Sequence, residues 1–315
     1  MRANVGVALP TFLLLSVFSA AQTIHLSERY SRVKVENGLI LGWHVNSADS
    51  QAPQITVYDS NGHILVALYP LRLVPGASEA FVHDVSARPG GVIAVAAAYR
   101  KDNASVPAFA LLLFDFKGNP LTTLALAPSR QAWRVTLDSE SNLWTLTAGA
   151  GGLSPSEAPM VVGYTASGSV LKEVLSRSEF PLHASETQEN PKVGAPGLGV
   201  SSRAIWFWLP GSTDLVTFYA DGSGVQRSMT GLPKSTTAER VLLTDAGTLL
   251  AQVRNEQDSS KGRKGSFFFR SAVTKTWNQF YAPCACTLIG ADSADAFFIQ
   301  MGENGSDIYK THIPE

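Results

Sequence analysis

The chain has 315 residues, with 25 basic against 26 acidic side chains and a formal charge of −1. That balance gives no electrostatic ground for nucleic acid or an anionic membrane as a partner. With 45% hydrophobic and 16% charged residues, the chain can build a large core and does not read as disordered.

Arg2, the apolar run Val5–Phe18 and the small residues Ser19, Ala20 and Ala21 read as a secretory leader cleaved after Ala21. The competing reading is an uncleaved anchor, for which the run is short against the roughly 20 residues a span needs. The expected organisation is therefore a signal peptide over 1–21 and a single domain over 22–315. The expected location is the periplasm or the outside of the cell, with no stable membrane insertion.

Beyond the leader, two hairpin types alternate. The first has a strand, a short polar turn and a strongly apolar strand. It occurs near Asn37-Gly38, Pro89-Gly-Gly91, Asp138-Ser-Glu-Ser-Asn142, Ser201-Ser-Arg203, Thr244-Asp-Ala-Gly247 and Asp292-Ser-Ala-Asp295. The second is an aromatic-led turn, clearest in Val57-Tyr58-Asp59-Ser-Asn-Gly62 and Leu113-Phe114-Asp115-Phe-Lys-Gly118. It recurs at Tyr164–Gly168 and Tyr219–Gly222, in degraded form after Phe267-Phe-Phe, and is truncated at Asp307–Ile313. Asp, Ser or Asn at the turn start can bond the backbone two residues on, and Gly accepts the positive φ of the reversal. Runs such as Trp206-Phe-Trp208 lack alternation, as expected of sheets covered on both faces.

A period near fifty residues carrying about four strands predicts an all-β, six-bladed β-propeller. Its blades fall at 30–70, 80–127, 131–176, 193–230, 238–281 and 286–313 with 22–28, with five or seven blades as alternatives. The last unit lacks one strand at its C-terminus. Thr23–Leu26 is expected to supply it and close the ring by pairing the N- and C-terminal strands, which hides an edge. The Leu137-Asp-Ser-Glu-Ser-Asn142-Leu-Trp phrase resembles the repeat of NHL-type propellers, though Ser141 stands where glycine is usual. The resemblance implies a fold and no function.

Cys284 and Cys286 are the two cysteines. On a strand their side chains would lie about 6.5–7 Å apart on one face, so a bridge requires a turn. A buried or free thiol pair is the first reading and a local disulfide the second. Two thiols cannot complete a tetrahedral metal site.

The long connections, at 46–53, 100–107, 148–159, 173–196 and 254–265, all map to one face. Binding residues concentrate on such loops. The segment 173–196 is read as an insertion or a lid, and 254–265, with Arg254, Lys261, Arg263 and Lys264, as a solvated basic tip. No Gly-x-Ser-x-Gly, His-Glu-x-x-His or Gly-x-x-x-x-Gly-Lys pattern occurs, so no catalytic residue, metal ligand or cofactor is assigned. Candidate ligand-binding residues, at the channel mouth and under the lid, are His83, Asp84, Trp133, Arg134, His183, Lys192 and Arg240. His83 and Asp84 are the one adjacent acid–base pair, but on a strand they face opposite ways. The expected function is a monomeric, non-enzymatic module binding a protein or small ligand through the long-loop face. The rivals are a metal-dependent, lactonase-like hydrolase and a carbohydrate-binding or envelope-structural role.

Overall fold

The computed structural model describes residues 22–101, 104, 106–127, 130–148, 158–179, 195–202, 204–232, 237–254 and 266–313. Residues 1–21, expected to be a leader, lie outside them, as do most of 173–196 and most of 254–265. Among the described residues there is no α-helix, and the chain is built almost wholly of strands.

In chain order, β1 (Gln22–Leu26) precedes β2 (Arg32–Glu36), β3 (Leu39–Trp43), the two-residue β4 (Asn46–Ser47), β5 (Ile55–Tyr58) and β6 (Ile64–Leu68). Next come β7 (Ala77–Ala87), β8 (Ile93–Lys101), β9 (Ala108–Phe114) and β10 (Pro120–Leu126), then β11 (Gln131–Leu137), β12 (Leu143–Ala148), β13 (Pro159–Tyr164) and β14 (Val170–Ser176). They are followed by β15 (Gly197–Ser201), β16 (Ala204–Trp208), β17 (Asp214–Tyr219) and β18 (Gln226–Met229). The chain finishes with β19 (Thr237–Leu243), β20 (Leu249–Arg254), β21 (Ser266–Arg270), β22 (Trp277–Phe280), β23 (Thr287–Ala291), β24 (Asp295–Met301) and β25 (Ser306–His312).

These strands form antiparallel quartets, each running from an inner strand outward: β2-β3-β5-β6, β7-β8-β9-β10, β11 to β14, β15 to β18, and β19 to β22. The last quartet is β23-β24-β25 completed by β1, which pairs antiparallel with β25 from Gln22↔Lys310 to Leu26↔Ser306. A single parallel bridge, Val35↔Gly290, joins β2 to β23, so the first and last quartets share one sheet. The approach is so tight that a Cβ on Gly290 would sit 2.3 Å from the Val35 carbonyl oxygen, and only glycine fits there. The sequence did not reveal β4, which pairs with β7 and laces the first quartet to the second. Gln54 secures that junction, donating from Nε2 to the carbonyls of His44 and Ala80 at 3.1 and 3.0 Å.

Burial follows from this layering. The middle strands β3, β5 and β13 are buried at every position, as sheets packed on both faces require. The outer strand β18 is exposed at every position. Apolar clusters lie between neighbouring quartets: one joins Leu41 and Val57 to Val85 and Val95, another Trp144 and Leu146 to Phe207 and Phe218.

The turns are held as their composition predicts. Oδ1 of Asp59 accepts the amides of Asn61 and His63 at 2.8 and 2.9 Å, and Asp115 and Asp138 bond their own turns in the same pattern. Bonds from the His63 backbone and the Asn119 side chain, respectively, hold the Asp59 and Asp115 carboxyls below the usual carboxylate range. Thr165 and Thr244 perform the same bond with a hydroxyl, each to the amide four residues on. Ser141 occupies the left-handed position at φ +64°, where the equivalent Gly62 and Gly118 have +87° and +82°. A Ser141→Gly variant is therefore expected to gain about 0.5–1 kcal/mol, the strain relieved less the added freedom of the unfolded chain, measured by urea unfolding.

Cys284 and Cys286 form a disulfide with a Cα–Cα separation of 5.2 Å. The first reading, a reduced pair, is thereby corrected. The segment between β22 and β23 is not a strand, so the backbone can bring the two α-carbons closer than an extended chain allows.

Candidate functional site

The strands β2, β7, β11, β15, β19 and β23 each stand first in their quartet, and each is followed by a short turn. Successive members of the set β2, β7, β11, β15, β19 and β23 lie against one another, and β23 lies against β2. They surround a cavity of about 170 Å³. Its charged walls are Arg32, Lys34, Arg134 and Arg240 against Glu36, Asp84, Asp245 and Asp292.

Four of the inner strands carry a bulge at an equivalent place. The register skips between Val82 and Asp84, Ala132 and Arg134, Ala238 and Arg240, and Leu288 and Gly290. The extra residues are His83, Trp133, Glu239 and Ile289. A bulge adds one unpaired residue and re-aims the next side chain. Here the residue after each bulge, Asp84, Arg134, Arg240 or Gly290, lines the cavity.

The candidate residues thus divide. Asp84, Arg134 and Arg240 come together on the cavity wall. His83 and Trp133 do not line it: their rings pack at 4.3 Å between centroids, and His83 also stacks on Phe109 at 5.9 Å. His183 and Lys192 lie outside the described residues. The sequence reading missed Arg32, Lys34, Glu36, Trp43, Trp206, Asp245 and Asp292. The alternating Arg32-Val-Lys34-Val-Glu36 pattern was the available signal, since it places three charges on one face of a strand otherwise anchored by valines.

Lys34 sits at the centre of the charge pattern. Its ammonium lies 3.3 Å from Glu36 and 3.7 Å from Asp84, and it donates to the Val85 and Val135 carbonyls at 3.3 and 3.4 Å. Asp84 also accepts the Val135 amide at 3.0 Å, and Glu36 accepts the Thr136 hydroxyl at 2.9 Å. Three neighbouring inner strands are thereby tied through side chains. Towards the turn end, Asp245 accepts the Ser202 amide, and Asp292 accepts those of Ala294 and Asp295. Each cavity carboxylate thus already accepts donors from the protein. Among the described residues, no group of three or more His, Cys, Asp or Glu side chains is placed to hold a metal ion.

His83 behaves as a buried neutral base. Burial, with the nearby Arg134 charge adding to it, pushes its imidazole down to about 4, against a smaller opposing pull from Asp84. The unfolded chain, with an ordinary imidazole near 6.5, binds this proton first. The stability that neutral His83 contributes is therefore whole above about pH 6.5 and is lost as pH falls towards 4. The expected loss is about 2 kcal/mol, less than the full shift because the ring keeps some exposure. His83→Phe should flatten that part of the pH–stability curve in urea titrations at fixed ionic strength.

No family model matches the chain, and no curated protein matches it in sequence. Solved structures do resemble it. A luciferin-regenerating enzyme aligns at 12% identity over 92% of this chain and 94% of that one, with a TM-score of 0.50. A prolyl endopeptidase structure aligns at 9% identity over 91% of this chain but only 42% of its own, also at 0.50. The Swd1 β-propeller domain of Myceliophteria thermophila aligns at 10% identity over 92% and 98%, at 0.47. The chain is a β-propeller protein. At these identities the likeness concerns the fold alone.

Proposed function

We propose that the chain is an exported six-bladed β-propeller, with NHL-like turn chemistry, that binds a protein or small ligand at its loop end without transforming it. The six quartets serve as blades, and the β1–β25 pairing with the Val35↔Gly290 bridge closes the ring. The leader-like composition of 1–21 supports export. So does the Cys284–Cys286 bridge, because disulfides persist mainly in oxidising compartments. The observation that carries the binding reading over a metal-dependent hydrolase is the engagement of the cavity carboxylates. Asp84 and Glu36 are held by Lys34, an amide and a hydroxyl, whereas a hard divalent cation needs several oxygens turned towards it.

The test is elemental analysis with intact-mass measurement of protein purified after export in its processed form. The expected result is a chain beginning at Gln22 with the disulfide formed and no stoichiometric metal. A stoichiometric metal whose removal by chelator abolishes ester or lactone hydrolysis would overturn the proposal.

A further inference from the structure

Residues 284–286 carry the side-chain pattern of a strand but not its backbone. Cys286 is buried among Phe267, Phe280, Leu288 and Phe298, Cys284 packs half-buried against the same cluster, and Ala285 between them is exposed. Cys284, Cys286 and Leu288 thus share one face in steps of two, as they would if β23 began before Thr287. It does not, because the disulfide holds the two α-carbons 5.2 Å apart, whereas alternate positions of a strand stand about 6.5–7 Å apart. Bridge and strand exclude each other at these residues.

A place in the sheet awaits them. β23 pairs with β24 as Thr287↔Ile299 and Leu288↔Phe298, and the same register carried back sets Cys286 opposite Gln300 and Ala285 opposite Met301. The backbone directions agree. The Leu288 amide points away from β24, donating to Gln252 Oε1 at 3.0 Å, so the residues that face β24 with their backbone are Thr287 and, two back, Ala285. On β24, the Gly302 amide bonds the Gly305 carbonyl at 2.9 Å across the hairpin to β25, which turns the Met301 amide and carbonyl to the other side, towards residue 285. Among the described residues no backbone hydrogen bond joins Met301 to 284–286. The ladder therefore stops one hydrogen-bonding position short of the end of β24.

The bridge contributes little as a staple. It spans a sequence separation of 2, and the stabilisation a cross-link gives rises with the length of the loop it closes. Phe280 before it and Leu288 after it are already buried.

We infer that Cys284–Cys286 is a redox switch acting on strand length. Oxidised, the bridge ends β23 at Thr287. Reduced, residues 284–286 join β23, Ala285 and Met301 exchange backbone hydrogen bonds, and the connection from β22 straightens, carrying the exposed Tyr281 and Pro283 with it. The reductant is an external dithiol. One of its thiolates attacks Sγ of Cys284, the more open residue of the pair. The S–S bond breaks, a mixed disulfide forms, and the Cys286 thiolate leaves and takes up a proton. The donor's second thiol loses its proton and attacks the donor sulfur of the mixed disulfide, and Cys284 leaves as a thiolate that is protonated in turn. Two electrons and two protons reach the chain, and the donor ends as a disulfide. The switch is independent of what the chain binds.

The test compares the processed chain with its disulfide intact, the same chain reduced with dithiothreitol, and a Cys284→Ala, Cys286→Ala variant that needs no reductant. Backbone amide exchange and Hα–Hα contacts are followed by NMR. Reduction should slow exchange of the Ala285 and Met301 amides about tenfold, since both enter the ladder. It should bring the Hα atoms of Cys286 and Gln300, opposed without mutual hydrogen bonds, into contact, and leave the Ile299 and Ile308 amides unchanged. The double variant should match the reduced chain, and oxidised glutathione should restore the first pattern to the reduced chain. Unchanged exchange at Ala285 and Met301 after reduction would overturn the inference. So would faster exchange at Ile299 and Ile308, which would make the bridge a staple, or a bridge that dithiothreitol opens only in urea.

Discussion

Truncating Leu26 to alanine should lower the free energy of unfolding by about 3 kcal/mol, the usual range for a fully buried leucine. The side chain is 1% exposed although it lies on the outermost strand of its quartet. Ile24 and Leu26 enter a cluster with Tyr30, Val35, Tyr58, Ile289 and Ile308, which belongs to the first and last quartets together. Ile24 also touches the Asp59–Gly62 turn, where a Cβ on Gly62 would meet it at 2.8 Å. The strand therefore acts as a clasp, and its loss should exceed the loss of one leucine's contacts. Removing residues 22–26 also strips the five Cα partners of β25 and leaves an unpaired edge, a template for association between molecules. Leu121→Ala, at a leucine 53% exposed on the outer strand β10, is the matched control and should change stability by less than about 0.5 kcal/mol. Urea unfolding of the three proteins, with light scattering for the deletion, decides the matter. If Leu26→Ala behaves like Leu121→Ala, the β1–β25 pairing is not what holds the first and last quartets together.

The β1–β25 pairing was legible in the sequence because it follows from counting: a last unit short of one strand, and the Thr23-Ile-His-Leu26 segment near the start of the chain. The turns were legible because their chemistry is local, with Asp59, Asp115 and Asp138 each bonding residues within four positions. The cavity was legible only in part. A bulge shows as a skipped register between two strands and leaves no mark in either strand alone, so His83 and Trp133 read as channel residues beside Asp84 and Arg134. The disulfide was hidden for a similar reason, since two cysteines one residue apart look unbridgeable until the backbone is known to turn. Trp206 read as a packing residue and Trp43 was not singled out, and both are almost wholly buried. Their unpaired N–H groups emerge only once every neighbour is placed.

Replacing Lys34 with methionine should cost about 3–5 kcal/mol, because it leaves two carboxylates facing each other across a partly dry cavity. Asp84 and Glu36 side chains are 4% and 12% exposed, and Lys34 is the cation placed against both. Its hydrogen bonds to the Val85 and Val135 carbonyls reach the second and third quartets, so the substitution also unties their inner strands. A buried ion cluster is weak evidence of net stabilisation, since desolvation offsets much of the attraction, whereas removing one member exposes the whole penalty. That asymmetry provides the internal check. The triple variant Lys34→Met, Glu36→Gln, Asp84→Asn removes all three charges, while the two side-chain amides it introduces retain oxygens to accept from the Val135 amide and the Thr136 hydroxyl. It should recover more than half of the loss, and urea unfolding of the single and triple variants would show it. A triple variant no more stable than the single one would place the cost in the lost Lys34 packing and carbonyl bonds, and Lys34 would then be a strand tie first and a counter-charge second.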